Sequence, residues 1–243
     1  MIKMDVSVLI PAYNEEKLLE QTALNLYSYL KSLKEKSAIS SFEIIICVNG
    51  STDRTEKISK NLSKNHKEIL YFSMKQRGFG IALTAGMKRA SKNIITFIPA
   101  DGEFIFDFIE RAIPLMDRYQ IVNCSRFITK QPHGSNPVRI ILSYAFREFF
   151  RLMFKYKFSE VGSSKVIRSD AAKILIPHLK GYGGDWQMDV LYYSLKYKLK
   201  IDEIPLNIQI TRPLSDARIS VLKETWRFFH TCLGYGVKIY LRI

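Results

Sequence analysis

The chain has 243 residues, 47% apolar and 25% charged, which suits one large α/β domain and excludes a second domain of similar size. Its formal net charge of +14 predicts an anionic partner, for which nucleic acid and anionic membrane surfaces are the usual classes. The three cysteines, Cys47, Cys124 and Cys232, lack the spacing of a zinc site or a redox pair, which favours a reducing compartment.

Targeting and membrane-spanning segments are not evident in the sequence. The first apolar run, at 6–10, leads into Pro11 without the small-residue cleavage site that ends a secretory signal. A bilayer-spanning helix needs about 20 mostly apolar residues, and every long apolar stretch here is interrupted by Arg or Lys. We therefore expect a cytoplasmic protein.

The N-terminal half alternates short apolar runs with helical patterns, which is typical of βαβ units and a mostly parallel sheet. Strands are predicted at 6–10, 42–48, 69–73 and 94–98. Three helices are predicted in this half. The first spans 16–33, the second follows a helix cap at Ser51 or Thr52, and the third runs from 78 to about 90. Because ligands of open α/β sheets bind beyond the carboxyl ends of strands, the polar segments after the first, second and fourth strands should share one crevice.

The second half continues this pattern and then changes character at about Pro137. Helices are predicted at 106–116 and 138–156 and after 183–189, with a strand at 121–124. A strand at 201–206 is implied by the family resemblance described below. The segment 130–137 contains two prolines and several turn formers, which predicts an exposed loop. We expect one α/β domain at 1–220 and an amphipathic helix at 221–243, whose apolar residues are Trp226, Phe229, Leu233, Val237 and Tyr240.

The predicted helix at 138–156 combines a wide apolar face with a basic strip. The apolar residues at three- and four-residue spacing are Val138, Ile141, Leu142, Ala145, Phe149, Leu152 and Met153, widened by Phe146, Phe150 and Phe154. The basic strip consists of Arg139, Arg147, Arg151 and Lys155. Such a helix can lie in a membrane interface with its cations at lipid phosphates. It can equally be a core helix whose cations are solvated along the surface.

Four polar segments follow predicted strands or begin helices. They are Pro11-Ala12-Tyr13-Asn14-Glu15-Glu16, Cys47-Val48-Asn49-Gly50-Ser51-Thr52-Asp53, Arg77-Gly78-Phe79-Gly80 and Pro99-Ala100-Asp101-Gly102-Glu103. A helix that begins at glycines offers free N–H groups to a phosphate. Carboxylates after a buried strand suit a hard divalent cation. Taken singly, each segment could also be an ordinary turn or helix cap.

In this order, the segments resemble those of glycosyltransferase family 2, and in particular the dolichyl- or polyprenyl-phosphate mannose or glucose synthases. The resemblance extends from residue 6 to residue 218. It implies a GT-A fold, a Rossmann-like and mostly parallel α/β sheet flanked by helices. The chain departs from the family pattern at Val48 and Asn49, which replace two acids, and at Pro99, which replaces the first acid of an Asp-x-Asp metal motif. Gln187 likewise replaces an acid on the acceptor side.

The resemblance also implies a role for individual residues. The implied nucleotide-sugar-binding residues are Pro11, Tyr13, Glu15, Asn49, Gly78, Gly80 and Asp101. The implied ligands of Mg²⁺ or Mn²⁺ are Asp101 and Glu103, and the implied catalytic residues are Asp101, Asp189 and Arg212. The implied contacts to an acceptor phosphate are Arg126, Lys165, Arg212 and Arg218.

The implied activity is the inverting transfer of a hexose from a GDP- or UDP-hexose to a polyprenyl phosphate. The protein would work as a peripheral protein at the inner, cytoplasmic face of the membrane and would not bind nucleic acid. Two alternatives remain open: a family-2 enzyme acting on a saccharide or protein hydroxyl, and a non-catalytic pseudoenzyme that binds sugar nucleotides. A basic nucleic-acid binder is disfavoured because no reader motif is present.

Overall fold

The structure, a computed structural model, describes residues 4–129, 137–209, 226–227 and 229–235. The strands are β1 (Met4–Ala12), β2 (Ile39–Asn49), β3 (Ile69–Met74), β4 (Ile94–Phe97), β5 (Ile121–Ser125), β6 (Lys165–Arg168) and β7 (Ile201–Pro205). The helices are α1 (Leu19–Glu35), α2 (Thr55–Asn65), α3 (Phe79–Met87), α4 (Asp107–Ala112), α5 (Pro137–Phe154), α6 (Ser169–Leu175) and α7 (Trp186–Lys196). Short 3₁₀ turns at Ile113–Leu115 and Ile176–His178 follow α4 and α6.

The seven strands form one sheet in the order β3-β2-β1-β4-β6-β5-β7. β6 is antiparallel to its neighbours β4 and β5, and the other neighbouring pairs are parallel. The prediction of a mostly parallel sheet flanked by helices is therefore confirmed. β6 and α6 are missing from the predicted elements, because the four residues of β6 carry a charge at each end and leave only Val166 and Ile167 as an apolar signal.

β1 and β2 are buried neighbouring strands inside the sheet. Their runs at 6–10 and 44–48 are buried at every position, which explains why they appear in the sequence as nearly continuous apolar stretches, with Ser7 as the one polar residue. The register pairs Ala12 with Val48, so the chain leaves both strands at the same edge. β4 is in register with β1 on the other side, with Leu9 opposite Phe97. The three polar segments after these strands therefore emerge side by side, as predicted.

The start of α2 differs from the prediction. Neither Ser51 nor Thr52 caps the helix, which begins at Thr55. Asp53 instead accepts a hydrogen bond from the Thr55 backbone N–H at 3.0 Å. The Ser51 hydroxyl is used elsewhere, because it donates to the carbonyl of Ala12 at the end of β1. The polar residues of this turn thus link two loops as well as begin a helix.

A second apolar cluster lies between α5, α7 and the C-terminal helical segment, by which we mean residues 226–227 and 229–235. Its buried members are Phe146, Phe150, Tyr156, Val161, Met188, Leu191 and Cys232. The ring of Phe229 lies 5.9 Å from that of Phe146 and 5.0 Å from that of Phe149, measured between centroids. Part of the predicted apolar face of the 138–156 helix is therefore a core surface.

Part of the described α5 surface is open. Ile141 and Leu152 are 66% and 82% exposed, respectively. In the basic strip, Arg147 and Arg151 both contact Glu148, which offsets part of their charge. No helix in the described part of the chain is long and apolar enough to cross a membrane. Binding of α5 in a membrane interface stays a prediction.

Candidate active site

The loops after β1 and β2 are fastened to each other by side-chain to backbone hydrogen bonds. The Asn14 N–H donates to the Ser51 hydroxyl at 3.1 Å, and the Asn14 side-chain oxygen accepts from the Thr52 N–H at 2.7 Å. The Glu15 N–H donates to the Thr55 hydroxyl at 2.7 Å. Most polar groups of the two segments therefore hold the two loops together at one edge of the sheet. The half-buried Glu15 side chain extends from this edge.

Tyr13 follows β1 and Asn49 ends β2, so both lie at this edge of the sheet, which we call the wall at Tyr13 and Arg77. The guanidinium of Arg77 lies 4.1 Å from the Tyr13 ring centroid, a cation–π contact. In the orientation that satisfies both amide atoms, Asn49 donates to the Ala12 carbonyl at 2.7 Å and accepts from the Gly78 N–H at 3.2 Å. Asn49 is buried, and its amide joins β1, β2 and the start of α3. In this arrangement both polar atoms of the amide bond to protein backbone, and the role of Asn49 in nucleotide-sugar binding stays a prediction.

The glycines at the start of α3 permit a close approach of protein backbone. A Cβ atom at Gly80 would lie 2.1 Å from the carbonyl oxygen of Gly181, and the Gly80 N–H donates to the Tyr182 carbonyl at 2.9 Å. Gly78 has a φ of +151°, and its added Cβ would lie 3.1 Å from the same Tyr182 oxygen. Gly181 and Tyr182, which pack against these two glycines, belong to the segment 180–184, hereafter the 180–184 loop. Only Gly can occupy these sites without displacing that loop.

Asp101 and Glu103 lie on a tight turn after β4. Gly102 between them has a φ of +69°, a left-handed conformation that favours glycine. Asp101 accepts a hydrogen bond from the Glu103 N–H at 3.2 Å, and Gln209 fastens the turn by donating from its backbone to Glu103 and from its side chain to Gly102. The turn therefore presents two carboxylates from a rigid backbone.

This pair of carboxylates fits the divalent ion that the resemblance implies. Mg²⁺ is commonly bound by one or two carboxylates, with substrate phosphates and water as the remaining ligands. Asp101 and Glu103 supply two such groups beyond the end of a buried strand. Within the described residues, no group of three or more His, Cys, Asp and Glu side chains converges on one point, so the other ligands would have to come from the substrate and solvent.

Arg126, at the end of β5, is held by a buried carboxylate. Its Nε donates to Glu160 at 3.1 Å, and only 14% of the Arg126 side chain and 3% of the Glu160 side chain are exposed. Burial alone would lower the pKa of Arg126, but Glu160 and then Glu103 raise it. The guanidinium is therefore a permanent positive charge that is paired with Glu160 and lies near enough to Glu103, on the turn of Asp101, for their charges to interact.

Glu160 is a site residue that the sequence patterns did not reveal. Its other oxygen accepts from the N–H groups of Val161 and Gly162, at 3.1 and 2.8 Å. Glu203 on β7 fixes the same stretch from behind by accepting from the Glu160 N–H and the Ser159 N–H and hydroxyl. A signal was present, because Glu160 is the one charged residue in the stretch 158–164. A lone charge in such a stretch favours a buried, paired acid.

Lys165 is completely buried and does not reach an exposed surface. Its ammonium donates to the carbonyls of Val161 and Ser163 at 3.1 and 3.0 Å and to the side-chain oxygen of Gln187 at 2.8 Å. These three bonds use all three donors of the group. Burial lowers the pKa of Lys165 to about 8, against the opposing effect of Glu160. The predicted contact with an acceptor phosphate would require Lys165 to leave this position.

Asp189 on α7 is buried as well, and both of its oxygens accept hydrogen bonds from the protein. Oδ2 accepts from the N–H groups of Lys180 and Gly181, each at 2.7 Å, and Oδ1 accepts from the Tyr235 hydroxyl. Burial raises the pKa of Asp189, and the hydrogen bonds oppose this. A role as a general base would require the carboxylate to exchange one of these partners for an acceptor.

The structure thus places some of the predicted site residues close together at the sheet edge and places others in the protein interior. The loops that carry Tyr13, Asn49 and Gly78 meet at one edge, and Arg126 lies by the turn of Asp101 and Glu103. Lys165 and Asp189 lie inside the protein. Arg212 and Arg218 lie outside the described residues, as do Val237 and Tyr240 of the predicted C-terminal helix. Pro11 is buried within β1, in register with Cys47.

Residues 7–175, more than half of the chain, match the family model described as Glycosyl transferase family 2. The chain belongs to glycosyl transferase family 2. The curated relatives include a dolichyl-phosphate beta-glucosyltransferase of Saccharomyces cerevisiae, 27% identical over 83% of this chain and 66% of that protein. The human dolichyl-phosphate beta-glucosyltransferase is 24% identical over 93% of this chain and 78% of its own length. These similarities support the same conclusion, that the protein is a glycosyltransferase.

Of two further relatives, one matches a shorter stretch of the chain and the other has a name that states no activity. A dolichyl-phosphate beta-glucosyltransferase of Trichomonas vaginalis is 33% identical over 43% of this chain, and the match spans only 33% of that protein. An uncharacterised protein of Methanocaldococcus jannaschii is 29% identical over 84% of this chain and 81% of its length. The matched region thus spans between about a third and four-fifths of these proteins.

Solved glycosyltransferase structures share the fold. The glucosyl-3-phosphoglycerate synthase of Mycobacterium tuberculosis, in complex with Mn²⁺, uridine diphosphate and phosphoglyceric acid, matches with a TM-score of 0.68. The sequences are 18% identical, and the match covers 96% of this chain and 78% of that one. The same enzyme with Mg²⁺ and uridine diphosphate gives a TM-score of 0.63 at 18% identity. The family-2 enzyme described here therefore has the GT-A fold predicted from its sequence.

Proposed function

We propose that this family-2 glycosyltransferase transfers a hexose from a nucleoside diphosphate sugar to a polyprenyl phosphate. The observation that carries the proposal is the place of Arg126, a buried guanidinium beside the turn of Asp101 and Glu103. A guanidinium binds phosphate oxygens through a planar fork. In this position it can hold the phosphate of an acceptor next to the diphosphate of a donor. The dolichyl-phosphate glucosyltransferases among the relatives support the same acceptor class.

The donor would bind at the edge formed by the loops after β1 and β2. Tyr13, stacked under Arg77, offers an aromatic face and a cation there. Glu15 offers a carboxylate that can accept from donors on the sugar or base. Asp101 and Glu103 would hold Mg²⁺ or Mn²⁺, which when bound neutralises the charge that grows on the leaving diphosphate. The complexes of the Mycobacterium tuberculosis enzyme with Mn²⁺ or Mg²⁺ and uridine diphosphate support such a cofactor.

A phosphate acceptor removes the need for a strong base. A phosphate monoester has a second pKa near 6, so its attacking oxygen is mostly an anion at neutral pH. The enzyme has to hold that oxygen behind the anomeric carbon and stabilise the leaving group, and attack from behind gives inversion. The committed hydrogen bonds of Asp189 are compatible with this chemistry. A hydroxyl acceptor would instead need a carboxylate to take its proton.

α5 and the C-terminal helical segment would bind the cytoplasmic face of the membrane, where the lipid acceptor lies. These two elements pack together through Phe229. Each also presents large apolar side chains to the outside, Leu152 at 82% and Trp226 at 74% exposure. Apolar side chains beside cations are the composition of helices that lie in a membrane interface. This supports peripheral binding to a lipid surface.

A transfer assay with paired acceptors tests the proposal. The purified chain is incubated with Mn²⁺ and labelled UDP- or GDP-hexoses, and the acceptor is either a polyprenyl phosphate or the polyprenol that lacks the phosphate. We expect a lipid-linked labelled hexose only with the phosphate. Transfer to the polyprenol or to a soluble saccharide at a comparable rate would contradict the proposed acceptor.

A further inference from the structure

The C-terminal helical segment is tied to α7 through a buried carboxylate. Oδ1 of Asp189 accepts a hydrogen bond from the hydroxyl of Tyr235, and both side chains are buried. The Tyr235 ring lies flat on Tyr192, with 4.0 Å between centroids and 7° between planes. Cys232, one turn earlier, packs its sulfur 3.4 Å from that of Met188. The segment is therefore seated on α7 by a polar contact within an apolar interface.

The other oxygen of Asp189 holds the beginning of the 180–184 loop. Oδ2 accepts from the backbone N–H groups of Lys180 and Gly181, each at 2.7 Å. Three of the five residues of this loop are glycines, Gly181, Gly183 and Gly184, whose backbones are intrinsically free. Its conformation therefore depends on anchors from outside, and Asp189 supplies two of them.

The 180–184 loop in turn sets the start of α3. The Tyr182 carbonyl accepts from the Gly80 N–H at 2.9 Å, and the backbone of Gly181 packs so closely that no Cβ would fit at Gly80. Trp186, just after the loop, donates from its ring nitrogen to the Thr84 hydroxyl at 3.0 Å. A displacement of the loop would therefore move or release the first turn of α3.

The start of α3 belongs to the wall where the donor is proposed to bind. Gly78 donates to Asn49, Asn49 donates to Ala12, and Arg77 stacks on Tyr13. A continuous series of direct contacts thus leads from Tyr235 through Asp189 and the 180–184 loop to this wall. Each link is a hydrogen bond, a tight van der Waals contact or, for Arg77 on Tyr13, a cation–π contact. Asp189, Tyr235 and Asn49 are buried in this series, whereas Tyr182 and Arg77 are exposed.

We propose that Asp189 is a positioning residue, which couples the seating of the C-terminal helical segment to the nucleotide side of the active site. With Tyr235 in place, Asp189 is held so that Oδ2 fixes Lys180 and Gly181, and the loop then fixes Gly80. The inference rests on the proposed function, because it takes the wall at Tyr13 and Arg77 as the donor site. It assigns Asp189 no proton transfer. Donor affinity depends instead on how the C-terminal helical segment is docked.

Tyr235→Phe is the decisive variant, because it removes one hydroxyl and leaves the Asp189 carboxylate in the protein. Tyr197→Phe is the matched control, since its hydroxyl bonds to His178 at an exposed position. Binding of UDP and GDP with saturating Mn²⁺ is measured by calorimetry, together with hydrogen exchange at the Lys180 and Gly181 amides. We expect Tyr235→Phe to weaken nucleotide binding about three- to tenfold, as loss of one net hydrogen bond would do. Exchange at both amides should become faster.

A second variant separates positioning from base catalysis. Asp189→Leu keeps the approximate size of the side chain but removes both acceptor oxygens from Lys180, Gly181 and Tyr235, so it should raise KM for the donor more than it lowers kcat. If Asp189 were a general base, its replacement would lower kcat more than it raises KM. Nucleotide binding by Tyr235→Phe would then be almost the same as that of the wild type. Nucleotide affinities of both variants within twofold of the wild type, with unchanged amide exchange, would overturn the inference. If the wild type binds neither nucleotide, the proposed function fails, and the exchange rates alone decide the positioning role.

Discussion

Arg126 and Glu160 form a buried ion pair in which the guanidinium Nε lies 3.1 Å from the carboxylate Oε2. The remaining oxygen of Glu160 accepts from two backbone N–H groups, so the carboxylate accepts from at least three donors. The pair fixes the direction of the Arg126 side chain beside the turn that carries Asp101. It also joins β5 to the stretch that precedes β6.

Glu160→Gln should destabilise the protein and impair transfer. The amide nitrogen of Gln would face a donor, and Arg126 would be left as a buried charge without its counterion, which costs about 3 kcal/mol in comparable sites. Urea unfolding and the transfer assay measure the two effects. Glu148→Gln is the control, because that carboxylate contacts Arg147 and Arg151 at the exposed surface of α5. Equal stability of the two variants would contradict the role given to Glu160.

Gly80→Ala should lower both stability and donor binding. Its Cβ would lie 2.1 Å from the Gly181 carbonyl oxygen, so the 180–184 loop has to move, and overpacking of this kind costs about 1–3 kcal/mol. Gly234→Ala is the matched control, since a Cβ there meets no atom within 4 Å. Thermal unfolding with and without UDP gives the comparison. A Gly80→Ala protein as stable as Gly234→Ala would show that the loop is not held against α3.

Lys165 should make stability depend on pH in the alkaline range. Its pKa is about 8 in the folded protein and 10.5 in its ordinary state, so the unfolded chain binds more protons between these values. The contribution of Lys165 to the free energy of unfolding should therefore rise with pH, by about 2 kcal/mol from pH 8 to 9.5. The difference in stability between wild type and Lys165→Met, followed by urea unfolding, reports it. Lys60→Met, at an exposed position of α2, controls for removal of a lysine. A pH-independent difference for Lys165→Met would refute the lowered pKa.

Binding to anionic vesicles should depend on the exposed apolar side chains of α5. Replacing Ile141 and Leu152 by Ser removes apolar surface that the protein itself does not bury, so co-sedimentation with the vesicles should fall while the fold is kept. Leu70→Ser on β3, 43% exposed in the wild type, is the matched control. Binding should also weaken as salt rises, because cations contribute. Equal sedimentation of the variant and the control would rule out α5 as the membrane contact.

The sequence predicts most of the fold because the central strands are buried on both faces. The run at 44–48 is wholly apolar, and those at 6–10 and 94–98 are apolar except for Ser7 and Thr96. Polar residues follow each run and place it in a βαβ series. β6 is not predictable in this way, since its two inner residues are too few to show a period. The division of α5 into packed and open sides also depends on its neighbours. Only the structure brings Phe229 against Phe146 and Phe149.

The sequence predicts where the candidate site residues lie in the fold better than it predicts the hydrogen-bond partners of each side chain. Position after a strand places Tyr13, Asn49 and Asp101 at one edge, and the fold has them there. Position does not reveal whether a polar group faces a ligand or the protein backbone. The Asn49 amide and the Lys165 ammonium are both satisfied internally, by contacts between residues far apart in sequence. Asp189 is similar, because the Tyr235 hydroxyl that binds it comes from another helix.

The most direct test of the account compares transfer by the wild type, Asp101→Asn and Asp117→Asn in the presence of Mn²⁺. Asp117 is an exposed acid beyond α4 and serves as the control. Labelled hexose on polyprenyl phosphate should form at similar rates with the wild type and Asp117→Asn. Asp101→Asn should be slower by about 100-fold, since a bound metal contributes several kcal/mol of charge stabilisation. Full activity of Asp101→Asn, or no lipid-linked product from the wild type with any UDP- or GDP-hexose, would contradict the account.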